Sequence, residues 1–178
     1  MIKIIWVLLQ VIIGFNLLMP FLLYIVWLLT SKPKVPVSKV SESDYAIIVT
    51  AYQYTNTLSS VVNSILKLNY DNYLIYIVAD NCDGQNLSFN SDKVHLLFPP
   101  QILASNTKSH AFAISKFERQ HEYLTIIDSD NILDSNYLKN LDKMFCQGFK
   151  SVQGMRAAKN LNSDIACLDA ARDIYYHY

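Results

Sequence analysis

Glycine is scarce in this chain, with four in 178 residues. None falls in a G-x-G-x-x-G or G-x-x-x-x-G-K-[ST] pattern, so the two glycine-built phosphate cradles are excluded. An excess of charge of either sign is also lacking. Fifteen Lys and Arg balance fifteen Asp and Glu. No basic stripe breaks that balance, so nothing marks a nucleic-acid partner. Cysteine is limited to Cys82, Cys146 and Cys167. They lie far apart, match no metal-ligand spacing and cannot all pair, and reduced cytosolic thiols are the expectation. Internal repeats and low-complexity tracts are absent.

One long apolar run is present. Residues 4–29, "IIWVLLQVIIGFNLLMPFLLYIVWLL", carry no charge. As a helix they would extend about 39 Å at ~1.5 Å per residue, against a hydrocarbon core of about 30 Å. Trp6, Tyr24 and Trp27 lie toward the ends, where interfacial aromatics anchor. A signal peptide would have an apolar core of ~7–15 residues and a small-residue cleavage site. This run is longer, and "LLTSKPKV" has no such site. Residues 1–30 are therefore read as a transmembrane anchor in the lipid bilayer. Lys32, Lys34 and Lys39 follow the run, whereas only Lys3 precedes it. The positive-inside rule then makes the chain single-pass, with residues 31–178 cytoplasmic. Residues 31–43, rich in Ser and Pro, read as a linker.

From Asp44 the pattern changes to alternating strands and helices. "YAIIVT" (45–50) reads as a buried strand. Leu58, Val61, Val62, Ile65 and Leu66 then mark an amphipathic helix, with Asn56 or Thr57 to cap it. "LIYIVA" (74–79) is a second strand, and the unit is βαβ, which implies parallel strands. Strands at 94–98, 123–128 and 150–155 are predicted. So are helices at 107–121, 135–148 (stopped by Gly148) and 163–178. The fold class is α/β: an N-terminal transmembrane helix, then a doubly wound, mostly parallel sheet.

"YLTIIDSDNI" (123–132) ends its apolar run in Asp128, Ser129 and Asp130. In an extended segment residues i and i+2 share a side, so the two carboxylates would sit together. Hard oxygen ligands of this kind suit Mg²⁺ or Mn²⁺. Asp, Ser and Asn also form ordinary turns, and the decapeptide alone allows either reading. The wider pattern favours a site. Thr50, Ala51 and Tyr52 follow the first strand, Asp80 and Asp83 the second, and Asp128 and Asp130 the fourth. In an open parallel sheet these are carboxyl ends, where ligands bind.

Four blocks, "IIVTAYQYTNTLSSVVNSIL", "IYIVADNCDG", "TKSHAFAIS" and "LTIIDSDNILDSNYL", together resemble family 2 of the nucleotide-sugar glycosyltransferases. These are inverting enzymes of the GT-A fold, related to cellulose and hyaluronan synthases. The resemblance covers roughly residues 44–160. It implies a membrane-anchored transferase moving sugar from a UDP-sugar to a glycan or lipid-linked acceptor. By the same resemblance, Thr50, Ala51 and Tyr52 cradle the nucleotide, and Asp80 accepts hydrogen bonds from the base. Lys108 belongs to the sugar-nucleotide pocket. Asp128 faces the ribose or sugar, and Asp130 ligates the divalent cation.

Two departures stand out. The acidic start of the family's nucleotide loop is replaced by "AYQYTN". The family's catalytic base, in an acidic dipeptide after a further strand, matches nothing here and is expected beyond Tyr178. Residues 44–178 therefore resemble the donor-binding half of a glycosyltransferase domain. The rival readings are a non-catalytic nucleotide-sugar-binding remnant or interaction module, and a nucleotidyltransferase. The last would want a Gly- and Arg-rich signature that "TAYQYTN" lacks. Asp83 reads as a turn residue, His110 as surface, and Arg156 as either a phosphate contact or a solvated side chain.

Overall fold

The computed structural model describes residues 2–30, 42–84 and 87–177. Two compact units divide at residue 36. The first contains helix α1 (Ile2–Leu29), long and apolar enough to cross a membrane. Its apolar side chains are exposed all round. Asn16 Nδ2 donates to the Ile12 carbonyl at 2.9 Å, and Thr30 Oγ1 donates to the Val26 carbonyl at 2.6 Å. Asn16 is thus satisfied by its own helix, and Thr30, the residue after it, by the helix's last turn. The predicted linker lies largely outside the described residues.

The second unit is a four-stranded parallel sheet. Its strands are β1 (Tyr45–Tyr52), β2 (Tyr73–Asp80), β3 (Val94–Leu97) and β4 (Tyr123–Asp128). They lie in the order β3-β2-β1-β4. Register pairs Tyr45 with Tyr73 and Tyr123, and Thr50 with Val78 and Asp128. The central strands are apolar on consecutive residues because both faces are covered. On one face Tyr45, Ile47, Val49, Ile75 and Ile77 pack under α2 (Leu58–Leu66) and α4 (Tyr137–Cys146). On the other, Ala46, Ile48, Tyr76 and Val78 meet Ala113 of α3 (Asn106–Ile114). Helices on both faces make the sheet doubly wound. Helix α5 (Asp164–His177) closes the described chain.

Two polar knots, the first of them buried, hold the elements in place. The Asp142 carboxylate of α4 accepts from the Tyr45 and Tyr70 hydroxyls at 2.7 and 2.6 Å. Burial, reinforced by that carboxylate, pushes both phenols well above their ordinary range. At the amino ends of the strands, Arg119 Nε and Nη2 each donate to the Asp44 carboxylate at 2.8 Å. His121 Nδ1 lies 3.1 Å from Asp44, and its Nε2 lies 2.9 Å from the Tyr76 hydroxyl.

Several sequence expectations are corrected. No strand forms at 150–155, where Val152 is the single β-branched residue. The third helix stops at Ile114 instead of running to 121, because the chain turns at Ser115 to stack Phe117 and His121 around Tyr76. Thr57 occupies the cap position of α2 but makes no side-chain cap bond. Gly148 follows α4 as predicted, with φ +87°.

Candidate functional site

In the strand order, β1 leads outward to β2 and β3 on one side, and β4 lies on the other. The β1/β4 junction is therefore a topological switch point, and a crevice opens outside its carboxyl ends. A cleft of about 640 Å³ occupies that place, lined by Thr50, Ala51, Tyr52, Asp80, Ala104, Ser105, Asn106, Ser109, Asp128, Ser129 and Asp130. Six of the seven sequence-predicted site residues come together here.

Each arrives by a different local device. Thr50, Ala51 and Tyr52 are the last residues of β1, not the start of a loop. The chain turns at Gln53, with φ +63°, and its N–H donates to the Asp80 carbonyl at 3.1 Å. Asp128 ends β4. The Asn131 N–H donates to the Asp128 carbonyl at 3.1 Å, so Ser129 and Asp130 lie in a tight turn. The segment is a turn, and the turn lies in the lining of the cleft. The extended i, i+2 geometry is not what joins the two acids, since the turn brings both to the cleft. Asp128 and Asp130 are exposed.

Asp80 differs from them, being only 2% exposed. Its Oδ1 accepts from the Leu103 N–H at 3.0 Å, and its Oδ2 from the Ala104 N–H at 2.8 Å. The carboxylate thereby fastens the loop before α3 to the end of β2. Each oxygen keeps a further lone pair for a ligand donor. Ala104 is held at φ +46°, and Asn81, next to Asp80, at φ +52°. Among the described residues Gln53, Asn81 and Ala104 are the positive-φ residues other than glycine, and all three are at or beside the cleft. Left-handed backbone at non-glycine residues clusters at functional sites. The chain uses these residues where scarce glycine would otherwise serve.

Lys108 is exposed on the first turn of α3 and does not line the cleft. The N-cap is Ser105, whose hydroxyl accepts from the Lys108 N–H at a long 3.5 Å. Asp83, His110 and Arg156 also lie outside the lining. Sequence reasoning missed Ala104, Ser105, Asn106 and Ser109. The available signal was positional: a helix following a parallel strand starts at the sheet's carboxyl edge, so its first turn faces the crevice.

The donor set fits a divalent ion of one kind. Among the described residues no group of three or more His, Cys, Asp or Glu is placed to hold one metal ion together, so an all-protein cage is absent there. Two carboxylates with room for water and phosphate oxygens suit Mg²⁺ or Mn²⁺ shared with a diphosphate.

The family model described as glycosyltransferase like family 2 matches residues 43–178. Among solved structures, the fold is similar to crystal structures of S. aureus TarS. TarS 1-349 is 17% identical, with TM-score 0.52, covering 68% of this chain and 43% of that one. Its complex with UDP is 19% identical, and its complex with UDP-GlcNAc 18% identical, both with TM-score 0.52. At such identities the likeness speaks for the fold. The chain spans less than half the length of these structures. No curated protein matches it.

Proposed function

The chain belongs to the glycosyltransferase-like family 2, and on that premise we propose that its cleft binds a UDP-sugar for transfer to a glycan or lipid-linked acceptor. The observation that carries this reading is the convergence of Thr50, Asp80, Asp128 and Asp130 on one crevice at the β1/β4 switch point. Thr50, Ala51 and Tyr52 cradle the nucleotide. Asp80 accepts from the imide N–H of the base, a charge-assisted bond. Asp128 accepts from a ribose or sugar hydroxyl, and Asp130 holds the divalent ion. When bound, that ion neutralises negative charge on the leaving diphosphate. The protein's part is orientation: the strand ends fix the donor's register, and Asp80 ties the loop before α3 against it.

Helix α1 serves as a membrane anchor in this reading, and Lys32, Lys34 and Lys39 keep residues 31–178 in the cytoplasm. The alternative is a donor-binding module without turnover of its own. Sugar transfer by the purified chain separates the two.

Calorimetry of the detergent-solubilised chain with UDP, GDP and CDP tests the nucleotide assignment. UDP is expected to bind tighter by about tenfold or more, the worth of one hydrogen bond to a charged acceptor. Equal affinity for all three would contradict it.

A further inference from the structure

Ser109 is 4% exposed and lines the cleft. Its backbone N–H donates to the Ser105 carbonyl at 2.9 Å within α3. No hydrogen bond of its hydroxyl is found among the described residues. Ala113, one turn on, is fully buried against Ile48, Tyr76 and Val78, so this helix face meets the sheet. A position of that kind usually holds a small apolar residue. A hydroxyl without a protein partner in the cleft lining is available to donate to a bound ligand.

Charge decides which part of a ligand this is. The charged residues lining the cleft are Asp80, Asp128 and Asp130, and none is basic. The first turn of α3 contributes roughly half a positive charge. The whole negative charge of Asp80 is bonded to Ala104, just before the N-cap Ser105, and outweighs it. A phosphate is therefore disfavoured beside Ser109, while a neutral polar group is not. Resting on the nucleotide reading above, we propose that Ser109 is a specificity residue that donates to a carbonyl of the donor's uracil. Asp80 can only accept, whereas Ser109 can donate. An imide edge presents an N–H beside carbonyl oxygens and needs that combination. Cytosine presents an acceptor nitrogen and an amine, which mismatch Asp80.

The test is calorimetry on the full chain in detergent, comparing wild type with Ser109→Ala against UDP, uridine and magnesium pyrophosphate. Melting temperatures on the same samples establish folding, and alanine is a better helix former than serine. Ser109→Ala is expected to weaken UDP and uridine by a common factor of about three- to tenfold, the loss of one neutral hydrogen bond. Pyrophosphate binding is expected to be unchanged. Undiminished UDP and uridine affinity in a folded variant would overturn the Ser109 assignment alone. A loss shown by pyrophosphate would overturn it in favour of a phosphate contact. No UDP binding by the wild type would overturn the nucleotide reading itself.

Discussion

Thr50 and Asp128 are register partners at the carboxyl ends of the neighbouring parallel strands β1 and β4. Thr50 is also paired with Val78 of β2, two residues before Asp80. One position of β1 therefore sits between the buried acid of β2 and the exposed acids of β4. That puts Asp80 and the Asp128/Asp130 pair on opposite sides of a single strand terminus, the two places the proposed reading gives to the base and the metal ion.

Asp80 fastens the loop before α3 and is proposed to accept from the base, and substitution should test both. Asp80→Asn keeps the size but leaves one amide oxygen for two N–H donors, Leu103 and Ala104. The unmet donor should cost about 1–3 kcal/mol of stability. Hydrogen exchange should accelerate at Leu103 and Ala104, and UDP affinity should fall in the same variant. Unchanged exchange with lost UDP binding would leave Asp80 a ligand contact without the structural role.

Asp142 should matter for stability and not for ligand. Its two oxygens serve two buried tyrosine hydroxyls, and an amide offers one acceptor. Asp142→Asn is expected to lower stability by about 1–3 kcal/mol. Thermal melting checks this, and UDP affinity measured below the transition should be unchanged.

The amino edge of the sheet predicts an acid sensitivity. Burial pushes the Asp44 carboxyl up, but hydrogen bonds and charge from Arg119 and His121 outweigh it and hold it below 3.8. A carboxyl depressed in the folded state contributes stability above its unfolded value and loses it as pH falls through the folded value. Asp44→Asn should therefore melt earlier than wild type at pH 6. The gap should begin to narrow as pH falls below about 4 and should close only once pH has passed the lowered folded value, where wild type also loses the charge. A constant gap from pH 6 to pH 3 would assign the effect to packing.

Much of this was legible in the sequence, for local reasons. Val-, Ile- and Tyr-rich runs at 45–50 and 74–79 mark β1 and β2, because buried parallel strands need apolar residues on both faces, and the apolar run at 123–128 marks β4, an edge strand with one face exposed. The strand ends named the acids for the same reason. What the sequence concealed is non-local. Helix α3 ends early because Phe117 and His121 stack on Tyr76, a partner some forty residues away in sequence. The bonds from Leu103 and Ala104 to Asp80 likewise close only once the crossover is made. Asp142 had a readable sign: it falls on the apolar stripe of Leu138, Leu141 and Phe145, where a lone acid needs buried donors.

The most direct test of the account is UDP affinity with and without divalent cation, on wild type, Asp130→Asn and Asp128→Asn. A diphosphate beside two carboxylates is repelled unless an ion intervenes. Chelator should reduce wild-type affinity by on the order of tenfold or more, and Asp130→Asn should mimic the chelator. Asp128→Asn should do less, because its proposed partner is a neutral hydroxyl. Metal-independent binding, untouched by either substitution, would contradict the account and leave Asp128 and Asp130 as turn residues.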